Sequence, residues 1–187
     1  MPDILLQLDR HLFHYINHDL SNSFFDAVMP YLRNPEFWIP LYIFIIGFCC
    51  YRYKKKGVVI IVCLALAASF ADFTSASIIK PLVKRVRPCR DPAVSATDIS
   101  RVDCGTGFSF PSTHATDHFA VALVLILLFY KKWPWIWLWG LLWAGVICFA
   151  QVYVGVHYPI DVICGAIYGI LVGTLFAFIF KKLEPQF

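Results

Sequence analysis

Five apolar stretches make up most of this chain, and each is long enough to cross a lipid bilayer as a helix. They cover about residues 37–53, 58–79, 113–130, 134–155 and 160–180. A spanning helix needs roughly 20 apolar residues, and open strands leave backbone groups unpaired in lipid. The composition agrees, since 59% of the residues are hydrophobic and 15% are charged. We therefore predict an all-α integral membrane protein with a bundle of about five transmembrane helices.

The N-terminal segment predicts a helix that lies in the membrane surface. Its apolar residues recur at helical spacing, namely Ile4, Leu5, Leu8, Leu12, Tyr15 and Ile16. Asp9 and Arg10 lie on the opposite face, so this helix is amphipathic. Asp26, Pro30 and Arg33 interrupt the short apolar run that follows, which argues against a sixth span. The start of the chain lacks the charged beginning and apolar core of a secretory signal, so we expect it to be retained.

Basic residues collect at one end of the predicted bundle. They are Arg52, Lys54, Lys55, Lys56, Lys131, Lys132, Lys181 and Lys182. Only Glu184 opposes them there. Because short loops rich in Lys and Arg stay in the cytoplasm, we place this end and the C-terminus on the cytoplasmic side. The small size and short loops favour a bacterial protein of the plasma (inner) membrane.

Three polar blocks then meet at the opposite, outer end. They are Lys80 to Pro88, Pro111 to His114, and His157 to Asp161. Ionisable groups near spanning helices commonly pair, line water or carry out chemistry. The convergence depends on the predicted number of spans between the blocks.

The first two blocks hold donors suited to a phosphate group. Lys80 offers a point charge and Arg87 a planar fork for bidentate contact. The two residues could share a face where the helix persists, although Pro88 favours an extended Arg87. Ser112 is a good helix N-cap, and the free backbone N–H groups of the next turn bind anions. Either block alone is also explained by interfacial cations or by an ordinary capped helix.

Two histidines and a carboxylate could transfer a phosphoryl group covalently. Asp161 can accept the N–H of one His157 ring nitrogen, which leaves the other nitrogen as a nucleophile. His114 can protonate a leaving oxygen, because histidine titrates near neutral pH. A structural His–Asp pair is the alternative. His114 and His118 could instead bind a metal, but no HExxH pattern accompanies them, so we expect neither a metal nor a cofactor.

Cys89 and Cys104 bracket residues 90–103 at the outer end. An oxidising exterior would allow a disulfide between them. Closing such a loop of about 15 residues stabilises a fold by roughly 3 kcal/mol in the chain-entropy model. Two free thiols are the alternative.

In order and spacing, the blocks resemble the three motifs of the type 2 phosphatidic acid phosphatase superfamily. The resemblance covers about residues 58–180, the motif-bearing core of a single membrane-embedded domain (1–187) whose interfacial N-terminal segment is 1–35. It implies that His157 is the nucleophile, that Asp161 is its partner and that His114 is the general acid.

The same resemblance implies a phosphate site and an activity. The phosphate binders would be Lys80, Arg87 and Ser112, with backbone N–H groups near Thr113. The family is helical and metal-independent, and it acts on lipid phosphates or diphosphates, commonly at the outer face of the membrane.

Two positions depart from the family pattern. Thr113 stands where glycine is usual, which is a mild change. Gln151 stands where the third motif usually has arginine, so the phosphate site would hold an uncharged amide there. Losing one transition-state donor commonly costs about 10²–10³ in rate. Slow turnover, compensation by another cation and binding with little turnover are the three outcomes, and we expect compensation. The candidates for it are Lys84, Arg85 and Arg90.

We therefore expect a membrane lipid phosphatase that works through a phosphohistidine. Undecaprenyl diphosphate, phosphatidylglycerophosphate, phosphatidic acid and lipid A all present a suitable phosphate. A lipid-phosphate-binding or flippase-like protein is the alternative, although the broken helices and repeats of transporters are not evident. Halide oxidation with vanadate fits the membrane character poorly.

The expected partners are the lipid substrate and the bilayer, and no nucleic acid. Gly165, Gly169 and Gly173 form a stripe that lets another helix approach closely. Packing inside a monomer is the favoured interpretation, and a homodimer is the alternative.

Overall fold

The computed structural model describes residues 3–185, which form helices and loops without strands. The α-helices are α1 (Asp3–His14), α2 (Ser23–Leu32), α3 (Ile39–Tyr53), α4 (Lys55–Phe73), the four-residue α5 (Lys80–Val83), α6 (Thr113–Phe129), α7 (Ile136–Tyr153) and α8 (Pro159–Leu183). Shorter helical turns cover Tyr15–Asp19, Pro35–Trp38, Thr74–Ile79 and Pro88–Arg90. The predicted all-α membrane fold is confirmed. The first two and last two residues of the predicted domain lie outside the described part.

All five predicted apolar stretches form helices close to their predicted positions. Three segments within residues 3–185 are long and apolar enough to cross a membrane, namely Lys55–Arg90, Ile136–Tyr153 and Pro159–Leu183. The apolar helix α6 has 17 residues and α3 has 15. The number of helices that cross the bilayer therefore stays a prediction.

Helix α1 turns its polar face towards the protein and its apolar face outwards. Asp9 and Asn17 are each 1% exposed, whereas Ile4 is 82% exposed. The backbone N–H of Ile160 donates to Asp9 Oδ1 over 2.9 Å, which ties α1 to the start of α8. An outward apolar face is what a helix in the membrane surface needs.

Helix α2 is short and packs against the outer end of α7. It has 10 residues with Pro30 inside, and its length of about 15 Å is too small for a bilayer. Asp26 on α2 accepts a hydrogen bond of 2.7 Å from the Tyr153 hydroxyl on α7. The first turn of α2 is therefore held beside the last turn of α7.

The glycine stripe of α8 packs against α6 within the same chain. A Cβ atom on Gly169 would lie 2.3 Å from the Thr116 carbonyl oxygen, and one on Gly173 would lie 2.5 Å from that of Ala120. Small residues allow this close backbone approach. The first turns of α6 and α8 are consequently neighbours, and the Ser112 N–H donates to the Asp161 carbonyl oxygen over 3.0 Å.

A disulfide closes the loop that precedes α6. Cys89 and Cys104 are bonded, with their Cα atoms 6.0 Å apart. Within this loop, Arg101 Nη1 donates to the Tyr153 carbonyl oxygen over 2.8 Å. The loop is thereby attached both to itself and to the outer end of α7.

Candidate active site

A cavity of about 650 Å³ opens among α3, α4, α6 and the loops at the outer end. The polar side chains that line it include Arg33, Lys80, Arg87, Thr113, His114, Gln151 and His157. Towards the middle of the bundle its wall becomes apolar, with Ile45, Ile61, Leu64, Val121 and Trp143. All three polar blocks of the sequence contribute to this one cavity.

His157 lies in the tight turn between α7 and α8 and is only 2% exposed. Its Nδ1 is 3.6 Å from Asp161 Oδ2. This separation is longer than a hydrogen bond, so Asp161 acts on the ring through its charge in this state. Burial lowers the pKa of His157 to about 4, against the opposing effect of Asp161. The imidazole is therefore neutral at neutral pH, as a nucleophile must be.

Asp161 is fixed by two further contacts. Its Oδ2 accepts the Tyr158 N–H over 2.9 Å, and its Oδ1 accepts Arg85 Nη1 over 2.6 Å. Arg85 also pairs with the buried carboxylate of Asp9. One arginine thus joins α1 to the carboxylate beside His157.

His114 lies in the first turn of α6, on the cavity wall. One turn later, His118 Nδ1 bonds to the His114 carbonyl oxygen over 2.7 Å, and its Nε2 lies 3.1 Å from the Tyr42 hydroxyl. Both nitrogens of His118 are therefore occupied within the protein. Among residues 3–185, one cluster of three side chains could hold a metal ion. It consists of His14, His18 and Asp19, which are exposed and lie about 100 residues before His114 in the sequence.

Lys80 and Arg87 both line the cavity, although the helix between them does not persist. Helix α5 ends at Val83, and Lys84 takes a left-handed conformation with φ of 54°. Arg87 is extended, as expected before Pro88, with φ of −71° and ψ of 151°. Its Nε donates to the Gly107 carbonyl oxygen over 3.3 Å. A turn in the loop, rather than a shared helix face, brings the two cations together.

Ser112 caps α6 but does not line the cavity. It is fully buried, and its Oγ accepts the Ala115 N–H over 3.5 Å. Thr113 does line the cavity and accepts a hydrogen bond of 3.3 Å from the Ser75 hydroxyl. The first turn of α6 thus presents Thr113 and His114 to a ligand, with Ser112 behind them.

The three cations expected to replace the missing arginine lie elsewhere. Arg85 is engaged by two buried carboxylates, and Lys84 and Arg90 are exposed, with Arg90 bonded to the Gly105 carbonyl oxygen. None of the three lines the cavity. Gln151 does line it, is fully buried, and has no hydrogen-bond partner for either amide atom.

The structure adds cavity residues that the motifs did not indicate. Arg33, Tyr42, Asp72 and Asp117 all line it. For Arg33, the sequence offered only its place at the end of an interrupted apolar run, which predicts a helix end and no ligand.

Comparison with known proteins shows which family this chain resembles. Residues 37–184 match the PAP2 superfamily. The chain is 35% identical to a lipid A 4'-phosphatase of Bacteroides thetaiotaomicron, over 100% of this chain and 83% of that protein. It is 28% identical to a lipid A 4'-phosphatase of Porphyromonas gingivalis, over 91% of this chain and 72% of that one.

A solved structure shares the fold. The PAP2-type phosphatidylglycerolphosphate phosphatase of Bacillus subtilis aligns with a TM-score of 0.74 at 20% identity, covering 98% of this chain and 90% of that one. The match over residues 37–184 and the 35% identity along the whole chain show that the chain belongs to the PAP2 superfamily.

Proposed function

We propose that this protein hydrolyses a membrane lipid phosphate or diphosphate through a phosphohistidine on His157. The observation that carries the proposal is a single cavity that is lined by three cations and three histidines, among them His114 and His157, and whose inner wall is apolar. The cations suit phosphoryl oxygens, and the apolar wall suits the hydrocarbon of a lipid.

The first step is attack by His157 on phosphorus. Because Nδ1 faces Asp161, Nε2 is the nitrogen that forms the new P–N bond. The bond from phosphorus to the lipid oxygen breaks, and His114 transfers its proton to that oxygen. Asp161 stabilises the positive charge that develops on the His157 ring.

The second step returns the enzyme to its starting state. His114, now neutral, takes a proton from water, and the water oxygen attacks phosphorus. The P–N bond breaks, inorganic phosphate leaves, and its electrons return to Nε2 of His157. Neither step requires a metal ion.

We propose a lipid A-type glycolipid phosphate as the first substrate to test. The full-length similarity to lipid A 4'-phosphatases supports this class. Asp72 and Asp117 on the cavity wall offer acceptors for hydroxyl groups of a sugar, which a prenyl chain lacks.

The site is proposed to face the outside of the plasma membrane, with the C-terminus in the cytoplasm. The basic loop residues at the opposite end support this orientation. The disulfide beside the cavity supports it too, because disulfides persist in oxidising compartments. We propose a monomer as the active unit, because the glycine stripe of α8 packs against α6 of the same chain and is not free for a second copy.

Purified protein in detergent is expected to release inorganic phosphate from lipid A 4'-phosphate, with lower rates on undecaprenyl diphosphate, phosphatidylglycerophosphate and phosphatidic acid. Release should be the same in excess EDTA, because side chains alone supply the nucleophile, the acid and the positive charge. Malachite green detection of phosphate measures all four rates. Strong inhibition by EDTA would contradict the metal-free mechanism, and release from none of the lipids would contradict the function.

A further inference from the structure

Arg33 is a cation in the cavity that the described residues, 3–185, leave without a counter-ion. It directly follows α2, outside all three sequence motifs, and its side chain lines the cavity. Its Nε is buried without a hydrogen-bond partner. Within residues 3–185, no carboxylate lies within ion-pairing distance of its guanidinium. Arg33 as a whole is half-buried, and a cation that is partly removed from water is stabilised by an anion beside it.

The backbone around Arg33 is held in place by the outer end of α7 and its surroundings. Leu32, the preceding residue, accepts a hydrogen bond of 2.8 Å from the Trp38 indole N–H. The Trp38 ring in turn packs against Trp143 on α7, with 6.0 Å between ring centroids. The hydrogen bond from Tyr153 to Asp26 fixes the other end of α2. Arg33 is therefore directed into the cavity by a packed segment on both sides.

Gln151 provides a second observation on the same cavity. It lies on α7, two residues before Tyr153, whose hydroxyl donates to Asp26 of α2. Its amide is fully buried and lines the cavity, yet neither its nitrogen nor its oxygen has a hydrogen-bond partner. Buried polar groups are nearly always satisfied, and a bound oxyanion would accept a hydrogen bond from the amide nitrogen.

The other cations of the cavity also favour a bound anion. Arg33 lies close enough to Arg87 and His114 to interact electrostatically with both. Lys80 and Arg87, which both line the cavity, also repel one another. Three cations that share one cavity are mutually unfavourable until a multiply charged anion enters among them. A phosphoryl group carries that charge, and guanidinium groups bind it in a bidentate manner.

We propose that Arg33 contacts the phosphoryl oxygens beside Gln151 and supplies the positive charge that Gln151 lacks. The compensating cation thus comes from the N-terminal segment rather than from the loop that holds Lys84, Arg85 and Arg90. The proposal rests on the proposed phosphatase function, and it makes Arg33 a catalytic residue that stabilises the transition state. Lys80 and Arg87 then act from the α5 side of the phosphate, and Arg33 acts from the α7 side.

The test replaces Arg33 and moves its charge to α7. Arg33→Gln is expected to lower kcat/KM for phosphate release by about 10²–10³-fold, the usual cost of one such donor. Arg33→Lys should lose less, because it keeps the charge without the bidentate geometry. Arg33→Gln combined with Gln151→Arg should recover at least tenfold over Arg33→Gln. Lys84→Gln, at an exposed cation that does not line the cavity, is the control and should match the wild type.

Orthovanadate binding, measured by calorimetry, separates this proposal from the proposed function. Arg33→Gln should weaken vanadate binding by tenfold or more, and the Gln151→Arg second substitution should restore it. If the wild type hydrolyses lipids and the folded Arg33→Gln variant keeps both activity and vanadate affinity within threefold, the role of Arg33 is overturned. If the wild type hydrolyses no lipid but loses vanadate affinity on Arg33→Gln, the anion site stands and the phosphatase function fails. Activity lost in Arg33→Gln and not recovered by Gln151→Arg, with vanadate affinity unchanged, would indicate a merely structural arginine and overturn the proposal.

Discussion

Replacement of His157 by alanine is expected to lower phosphate release by at least about 10³-fold, because the variant lacks the atom that bonds to phosphorus. The cations and apolar wall remain, so substrate binding should change little and the loss should fall on kcat. Phosphate release from a lipid phosphate in detergent measures the effect. His11→Ala removes an exposed histidine of α1 and is the matched control.

A His157→Ala variant with more than about a tenth of the wild-type kcat would exclude this histidine as the nucleophile. Either result is informative only if the variant is shown to be folded. His157 is buried, so the melting temperature of the variant should be measured alongside its activity. Loss of activity at an unchanged melting temperature is the expected pattern.

Replacement of Arg85 by methionine is expected to destabilise the protein by about 3–5 kcal/mol, the usual cost of removing one partner from a buried ion pair. The Arg85 side chain is 13% exposed, and those of Asp9 and Asp161 are 0% exposed. Without the guanidinium, two carboxylates would be left in the interior without their cation. The melting temperature in detergent should fall, and activity should fall with it, because Asp161 would lose the contact that positions it.

The control for this effect is Arg52→Met, at an exposed arginine of the opposite end. Asp9→Asn provides a second arm, since it removes one of the two carboxylates. The double variant Asp9→Asn with Arg85→Met should be less destabilised than the sum of the two single variants, because the two sites share one interaction. Additive effects, or an unchanged melting temperature in Arg85→Met, would show that the ion pairs do not hold α1 to the site.

The helices and the motif chemistry could be predicted from the sequence because both are local patterns. Apolar stretches of spanning length became α3, α4, α6, α7 and α8. The recurrence of apolar residues at helical spacing before Asn17 predicted the amphipathic α1, whose polar face lies inwards. The meeting of His114 and His157 followed from counting spans, since each apolar helix reverses the side of the next polar block.

The remaining features depend on contacts between distant parts of the chain. The pairing of Asp9 with Arg85 joins residues 76 positions apart, and no periodicity encodes it. The path of Lys80 and Arg87 was also not predictable, because the helix ends at Val83 rather than at Pro88. Arg33 gave no motif signal, since a lone basic residue after a short helix is usually a solvated surface group.

Acid–base roles follow from position as well as from residue type. His157 is enclosed and neutral, while His114 lies on the cavity wall where a leaving oxygen can reach it. His118 resembles them in sequence, but both of its ring nitrogens are already engaged. In the proposed mechanism the three histidines near one cavity therefore take three roles, and only their contacts distinguish them.

The most direct test of the central claim is to trap the phosphoryl group on the protein. Wild-type enzyme should be mixed with lipid phosphate labelled with ³²P and quenched in alkali, where phosphohistidine is stable. Label on the peptide that contains His157, lost on mild acid treatment and absent from His157→Ala, is the predicted result. Rapid phosphate release with no labelled protein at any quench time, or equal labelling of His157→Ala, would contradict it.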